Sequence, residues 1–233
     1  MADEDQTITL ARVAERAERF DEMADFMEQR IMKGMPLNPE ERDMFSAAFK
    51  NSLSERRHAV RVAVGVAQQE EADGNQTHSS LATGYRTKVE AELQAICNRV
   101  LSLLGNNLVP SAQPGEEKTF YLKMKGDYHR YLAEFAQAEN RGSIAQDANV
   151  AYSAGMQEAV ALPVTHPVRL GLALNFSVFQ HEVMQDTNSA IQTANQALES
   201  AAEDLDSMPE ASKSDAVLTM QLLQDNLLLW KAD

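Results

Sequence analysis

Leu93-Gln94-Ala95-Ile96-Cys97-Asn98-Arg99-Val100-Leu101-Ser102-Leu103-Leu104 carries apolar side chains at 93, 96, 97, 100, 101 and 104. Steps of three and four residues return to one helix face, whereas a half-buried strand alternates every second residue. Outward from this stretch the prolines stand at 36, 39, 110, 114, 163, 167 and 209, in four clusters. Proline is expelled from helix interiors by its missing N–H and its ring clash, so the long stretches between clusters read as helices and the fold class as all-α. Asn38-Pro39-Glu40-Glu41 and Ser207-Met208-Pro209-Glu210 look like helix starts, with Asp186 or Thr187 capping another. Gly34, Asp73-Gly74-Asn75, Gly105-Asn106-Asn107 and Gly142 read as stops. These signals predict nine helices, near 4–17, 20–33, 39–72, 78–105, 115–137, 143–162, 167–184, 187–205 and 210–230. Connectors this short imply antiparallel neighbours, and no tandem repeat supports a regular solenoid.

Composition narrows the function. The 233 residues are 44% hydrophobic and 24% charged, too apolar for a disordered chain. Thirty-five acids against 21 bases give a net charge of −14, which repels phosphate backbones and anionic headgroups at long range. No nucleic acid is expected as a partner. The acidic start Met1-Ala2-Asp3-Glu4-Asp5 is unlike a basic targeting leader, and the apolar run Leu170–Phe179 is too short to span a bilayer. The lone Cys97 cannot close an intrachain disulfide. A soluble, cytoplasmic protein without membrane insertion is the expectation.

Charge is unevenly spread. Arg42, Lys50, Arg56, Arg57 and Arg61 outnumber Asp43 and Glu55, and Lys118, Lys123, Lys125 and Arg130 outnumber Asp127, while the chain from Glu182 onward has ten acids and two bases. Seven residues advance a helix by about two turns. Lys50 and Arg57, Lys123 and Arg130, and Asn175 and Glu182 are each seven apart, and Leu218, Leu222, Asn226 and Trp230 follow in fours. Facing one another, such rows would line a groove with cationic, amide and apolar sections. The bland alternative makes the cations a solvated face and Leu218 to Trp230 plain core. Asn175 fits it poorly, since a buried amide costs free energy unless paired.

Arg42–Asn51 (RDMFSAAFKN), Arg56-Arg57, Phe120–Glu134 (FYLKMKGDYHRYLAE), Thr165–Phe179 (THPVRLGLALNFSVF) and Met220–Trp230 (MQLLQDNLLLW) resemble the 14-3-3 family, in the right order along essentially the whole chain. The resemblance implies one all-helical domain over 1–233, a cup-shaped subunit of nine antiparallel helices with an amphipathic groove. It implies an adaptor that binds phosphoserine or phosphothreonine segments of client proteins and regulates signalling. Carried over position by position, Lys50, Arg57, Arg130 and Tyr131 would form the phosphate pocket. Asn175 and Asn226 would hold the client backbone, helped by Glu182 and Trp230, with Leu174, Val178, Leu218 and Leu222 as apolar wall and Lys123 flanking the groove. Helices near 39–72, 115–137, 167–184 and 210–230 would line it. The segments 1–34 and 78–105 would make a homodimer, or a heterodimer with a paralogue, with Val13 and Ala17 against Tyr85, Arg19 pairing Glu92, and Glu22 pairing Lys88.

The residue types suit that chemistry. Guanidinium forks grip two phosphate oxygens each, Lys50 adds a point charge and Tyr131 a hydroxyl donor, while an unphosphorylated serine offers them no charge. Asparagine amides pair with the N–H and C=O of an extended peptide without reading its side chains. Some positions depart from the family pattern. Ala59 stands where many members carry a phosphorylatable serine that loosens the dimer, so that switch should be absent. Glu55, His129, Thr219, Gln224 and Leu228 also depart, which points to altered client preference.

Two rival functions have specific weaknesses. Glu55-Arg56-Arg57-His58 has the E-x-x-H spacing of helical di-iron enzymes, but in one copy where two are needed. His181-Glu182 lacks the second histidine of a zinc-protease motif, and no P-loop or dinucleotide fingerprint exists. No catalytic residue, metal or cofactor is therefore assigned. A scaffold that binds unmodified amphipathic helices would use the same apolar wall but leaves the basic rows unexplained.

Overall fold

The computed structural model describes residues 6–205 and 210–232. Among them nine long helices and no strand occur: α1 (Gln6–Arg16), α2 (Phe20–Met32), α3 (Pro39–Ala72), α4 (Gln76–Leu103), α5 (Glu116–Phe135), α6 (Ala138–Glu158), α7 (Pro167–Glu182), α8 (Thr187–Asp204) and α9 (Glu210–Trp230). The chain divides into two compact units, 1–110 and 111–233. The first holds α1 to α4 and the second α5 to α9.

Local chemistry explains the boundaries. Asn38 accepts from the Glu41 N–H, and the Glu41 carboxylate accepts from the Asn38 N–H, closing a reciprocal cap around Pro39. Gly34 and Gly74, at φ of +74° and +79°, take the left-handed conformation that ends α2 and α3. Asp186 caps α8 by accepting from the backbone and hydroxyl of Ser189. The expected cap at Ser207 lies outside the described residues.

Two expected stops are wrong. Gly105-Asn106-Asn107 does not end α4, which runs on through a π segment, Leu104–Leu108, into a last turn, Val109–Ser111. One residue extra per turn keeps both Leu104 and Leu108 buried, so the apolar face overrides the turn-forming composition. Gly142 lies inside α6, which begins five residues earlier than expected. Ala136 and Gln137 alone are extended before it, and the Asn140 and Arg141 N–H groups bond back to the Gln137 carbonyl.

In the first unit α3 packs between α2 and α4. Phe45 and Phe49 meet edge to face, and Met23, Met27, Leu53, Leu93 and Cys97 of the same unit are buried as well. Polar ties cross the core edges. Arg30 makes a two-point contact with Glu41 at 3.0 and 2.9 Å and also donates to the Met35 and Pro36 carbonyls. Arg99 pairs with Asp25 and Glu28 and lies over the Phe49 ring.

In the second unit small residues set the helix spacing. A Cβ on Gly126 would sit 2.6 Å from the Tyr152 ring, and one on Gly155 would sit 3.2 Å from Leu172, so α5, α6 and α7 approach closely at these points. Tyr152 stacks on Phe176 and meets Phe179 at a tilt of 43°. A second cluster joins α7, α8 and α9 through Leu170, Ala190, Ala194, Leu223, Leu227 and Trp230.

The Arg30–Glu41 pair is buried, with side-chain exposures of 7% and 10%. Removing one partner of such a pair leaves an uncompensated charge in the interior. Glu41→Ala should therefore lower unfolding free energy by about 3–5 kcal/mol, against about 1 kcal/mol for the cap variant Asn38→Ala. Urea titration compares them, and equal losses would assign Glu41's value to the cap alone.

Candidate functional site

Each unit carries part of the expected site. In the first, α3 places Lys50 on its exposed surface and Arg57, half-buried, two turns on. The adjacent Arg56 points elsewhere, because one residue turns a helix by about 100°. Its guanidinium grips Asp21 at 2.9 and 2.6 Å, and Ser52 donates to the same carboxylate. Glu55 and Glu92 lie 3.6 and 3.7 Å from Arg56. Burial would push the Asp21 carboxyl up, but the bonds from Arg56 and Ser52 hold it below its usual range. Of the two neighbouring arginines, Arg56 is thus a tie from α3 to α2, and Arg57 shares the Lys50 row.

In the second unit the expected residues converge on one they had been set against. Asp127, on α5, is buried. Lys123, one turn earlier, donates to its Oδ2 at 2.9 Å. Tyr152 of α6 and Asn175 of α7 donate to its Oδ1 at 2.6 and 2.7 Å. Arg130 Nη2 lies 3.8 Å from Oδ1, its Nε donates to the Tyr152 hydroxyl at 3.3 Å, and its guanidinium covers the Tyr131 ring at 4.6 Å. Lys123, Arg130, Tyr131 and Asn175 are therefore one assembly built on three helices.

Electrostatics follow from that geometry. Burial by itself favours a neutral Asp127, but the Lys123 and Arg130 charges and the Tyr152 hydroxyl outweigh it and hold the carboxyl below the usual range. Burial likewise works against the Arg130 charge, yet its neighbours Tyr152 and Asp127 hold it firmly protonated. Burial and then Asp127 push the Tyr152 phenol well above its usual range, so it stays a donor to the carboxylate. His129 is pushed below its ordinary value, chiefly by burial and further by Lys125, with Asp147 opposing.

The apolar residues fall into two sets. Met220, Leu223, Leu227 and Trp230 are buried, whereas Leu218 and Leu222 are 60% and 45% exposed, so α9 is core on one face only. Leu174 and Val178 are half-buried against the α7–α8–α9 cluster, Asn226 is half-buried and Glu182 exposed. Trp230 is 7% exposed and stacks on His181 at 5.1 Å. In the first unit Val13 and Tyr85 are exposed, as are Ala17, Lys88 and Glu92. Arg19 and Glu22 bond to each other within the chain.

Asp127 and Tyr152 are the residues that sequence reasoning missed. Asp127 did carry a signal, at four residues after Lys123 and three before Arg130, both spacings that bring side chains together on a helix. Tyr152 carried none, because its role depends on α6 packing beside α5. Among the described residues no group of three or more His, Cys, Asp or Glu could hold a metal ion, and no helix is long and apolar enough to cross a membrane.

The second unit is thus a helical module with cations and an amide gathered on one buried carboxylate, and with exposed leucines on α9. The family model described as 14-3-3 protein matches residues 10–231. The chain is 49% identical to the 14-3-3-like protein G-BOX factor 14 kappa of Arabidopsis thaliana, covering 98% of this chain and 94% of that one. It is 48% identical to the 14-3-3 protein homolog of Candida albicans (98% and 87% covered) and 47% to a 14-3-3-like protein of Chlamydomonas reinhardtii (99% and 90%). The chain belongs to the 14-3-3 family. With membership come that family's phosphoprotein-binding adaptor role and its dimerisation.

The depressed Asp127 carboxyl gives a pH signature. Its stabilisation is complete above the unfolded carboxyl value of about 3.9 and is lost as pH falls through the lower folded value. Asp127→Asn should therefore flatten the acid limb below about pH 4. Urea midpoints of wild type and variant at pH 6 and pH 3 measure this, and parallel losses in both would contradict the assignment.

Proposed function

We propose that this protein is a dimeric adaptor whose phosphate-binding residues are Lys50, Arg57, Arg130 and Tyr131, and whose ligands are phosphoserine or phosphothreonine segments of client proteins. The observation that carries the reading is the Asp127 assembly, which keeps Arg130 charged and oriented before any ligand arrives. A phosphate dianion brings about two negative charges and strong acceptor oxygens, which two guanidinium forks and a lysine can meet. Asn175 already donates one amide hydrogen to Asp127, which fixes its orientation. Its amide oxygen and second hydrogen suit a client's main chain, as does Asn226. Leu174, Val178, Leu218 and Leu222 supply an apolar wall, with Lys123, Glu182 and Trp230 completing the contact region. Residues 1–233 act as a single binding domain in this reading.

The dimer in this reading is a homodimer formed by Val13, Ala17, Arg19 and Glu22 with Tyr85, Lys88 and Glu92 of the second copy. Its support is the exposure of Val13 and Tyr85, at 59% and 56%, along with Leu10 and Leu81. Apolar burial would provide most of the association, because exposed ion pairs contribute only about 0–1 kcal/mol. Arg19 would exchange its intrachain partner Glu22 for the second copy's Glu92. Two linked sites would favour doubly phosphorylated clients through effective concentration. A cytoplasmic location and the absence of catalysis accompany this reading.

Fluorescence anisotropy of one basic-flanked serine peptide, phosphorylated and not, tests it. Wild type should bind only the phosphorylated form. Lys50→Glu should weaken that binding by roughly 100-fold or more, through a lost charge-assisted bond and added repulsion. Near wild-type affinity in the variant would overturn the pocket assignment. Equal binding of both peptides, unaffected by Lys50→Glu, would instead favour a scaffold for unmodified segments.

A further inference from the structure

The second unit holds a recess that none of the proposed client-binding residues lines. The end of α6 with the turn after it, the start of α7 and the middle of α8 line a partly open cavity of about 150 Å³. Met156, Leu170, Ala173 and Ala197 give it an apolar bed, and Arg169 and Thr193 also line it. Gln196 and Ser200 add polar groups beside Thr193, and the volume is enough for a body the size of a benzene ring.

Arg169 is what makes the recess more than a packing gap. Its Nη1 donates to the Leu162 carbonyl at 2.6 Å and reaches the Val160 carbonyl at 3.5 Å, which fixes the guanidinium plane. Both contacts use the same nitrogen. Among the described residues no carboxylate pairs with Arg169, and its Nε and Nη2 make no hydrogen bond. Arg12, Arg30, Arg56, Arg86 and Arg99, by contrast, each have a carboxylate within reach, so the free edge of Arg169 differs from these paired guanidiniums in lining a recess. A planar edge with two parallel N–H donors matches a carboxylate. A single cation beside an apolar bed suits a monoanion better than a phosphate dianion, which would need a second positive group.

We propose that this cavity is a binding site for a small monocarboxylate with a compact apolar body, about the size of benzoate. Its carboxylate takes the Nε–Nη2 edge of Arg169, and its body lies among Met156, Leu170, Ala173 and Ala197. This site is independent of the phosphate-binding reading, since it shares no residue with it.

Titration of the 233-residue chain with benzoate and with its neutral counterpart benzyl alcohol, followed by calorimetry or amide NMR shifts, tests the proposal. Benzoate should saturate with a dissociation constant of about 10 mM or lower, the range open to a ligand of about nine non-hydrogen atoms. Benzyl alcohol should bind at least about tenfold more weakly, and Arg169→Gln should weaken benzoate by a similar factor through loss of the charge-assisted bonds. Ala197→Leu, which fills the apolar bed, should abolish saturation while circular dichroism stays helical. No saturation in wild type, equal binding of acid and alcohol, or benzoate binding that survives Ala197→Leu would each overturn the site. Should Arg169→Gln fail to fold, the alcohol and Ala197→Leu still decide.

Discussion

A carboxylate buried among three helices sets the working geometry of the second unit. Taking Asp127 out of water costs several kcal/mol, and the cost is offset only because Lys123, Tyr152 and Asn175 each donate to it and Arg130 lies close by. Each donor comes from a different turn or helix, so satisfying one charge orients four side chains at once. Gly126, beside Asp127, leaves room for the Tyr152 ring to approach. Arg130 is thereby held charged and restricted in orientation, and such preorganisation would lower the cost of gripping an anion.

The two units solve the same electrostatic problem differently. In the first, acids are paired off at the helix junctions, with Asp21 taken by Arg56, Glu41 by Arg30, and Asp25 with Glu28 by Arg99. These ties consume arginines for architecture and leave the Lys50 and Arg57 row on another face of α3. In the second, one acid is spent to orient the cations themselves. Against a net charge of −14, both arrangements gather basic side chains locally, which is what the proposed anion site requires.

Much of this was readable from periodicity and punctuation. Pro39 with Asn38, and Gly34 and Gly74, carry their boundary chemistry in the chain itself, and α3 runs from 39 to 72 as its caps require. Gly105 and Gly142 misled because a glycine reports permission to turn and not a requirement. At 105 the buried faces of Leu104 and Leu108 decided for helix, and at 142 the start of α6 was fixed upstream by Gln137. The split of α9 into buried Leu223 and Leu227 and exposed Leu218 and Leu222 depends on where α7 and α8 lie. Asp127 counted only as a debit against local basicity in the sequence. Its function emerged from contacts with Tyr152 and Asn175, 25 and 48 residues away, which no local pattern encodes.

Asp127 and Tyr152 are proposed to prepare Arg130 for an anion, and Tyr152→Phe isolates that role. That change keeps the ring packing and every formal charge while removing the hydroxyl that accepts from Arg130 and donates to Asp127. Phosphopeptide affinity in the folded variant should fall by about tenfold, the value of a hydrogen bond to a charged group, with unphosphorylated peptide unaffected. An affinity equal to wild type would mean that Arg130 needs no such support, and that the buried network serves stability alone.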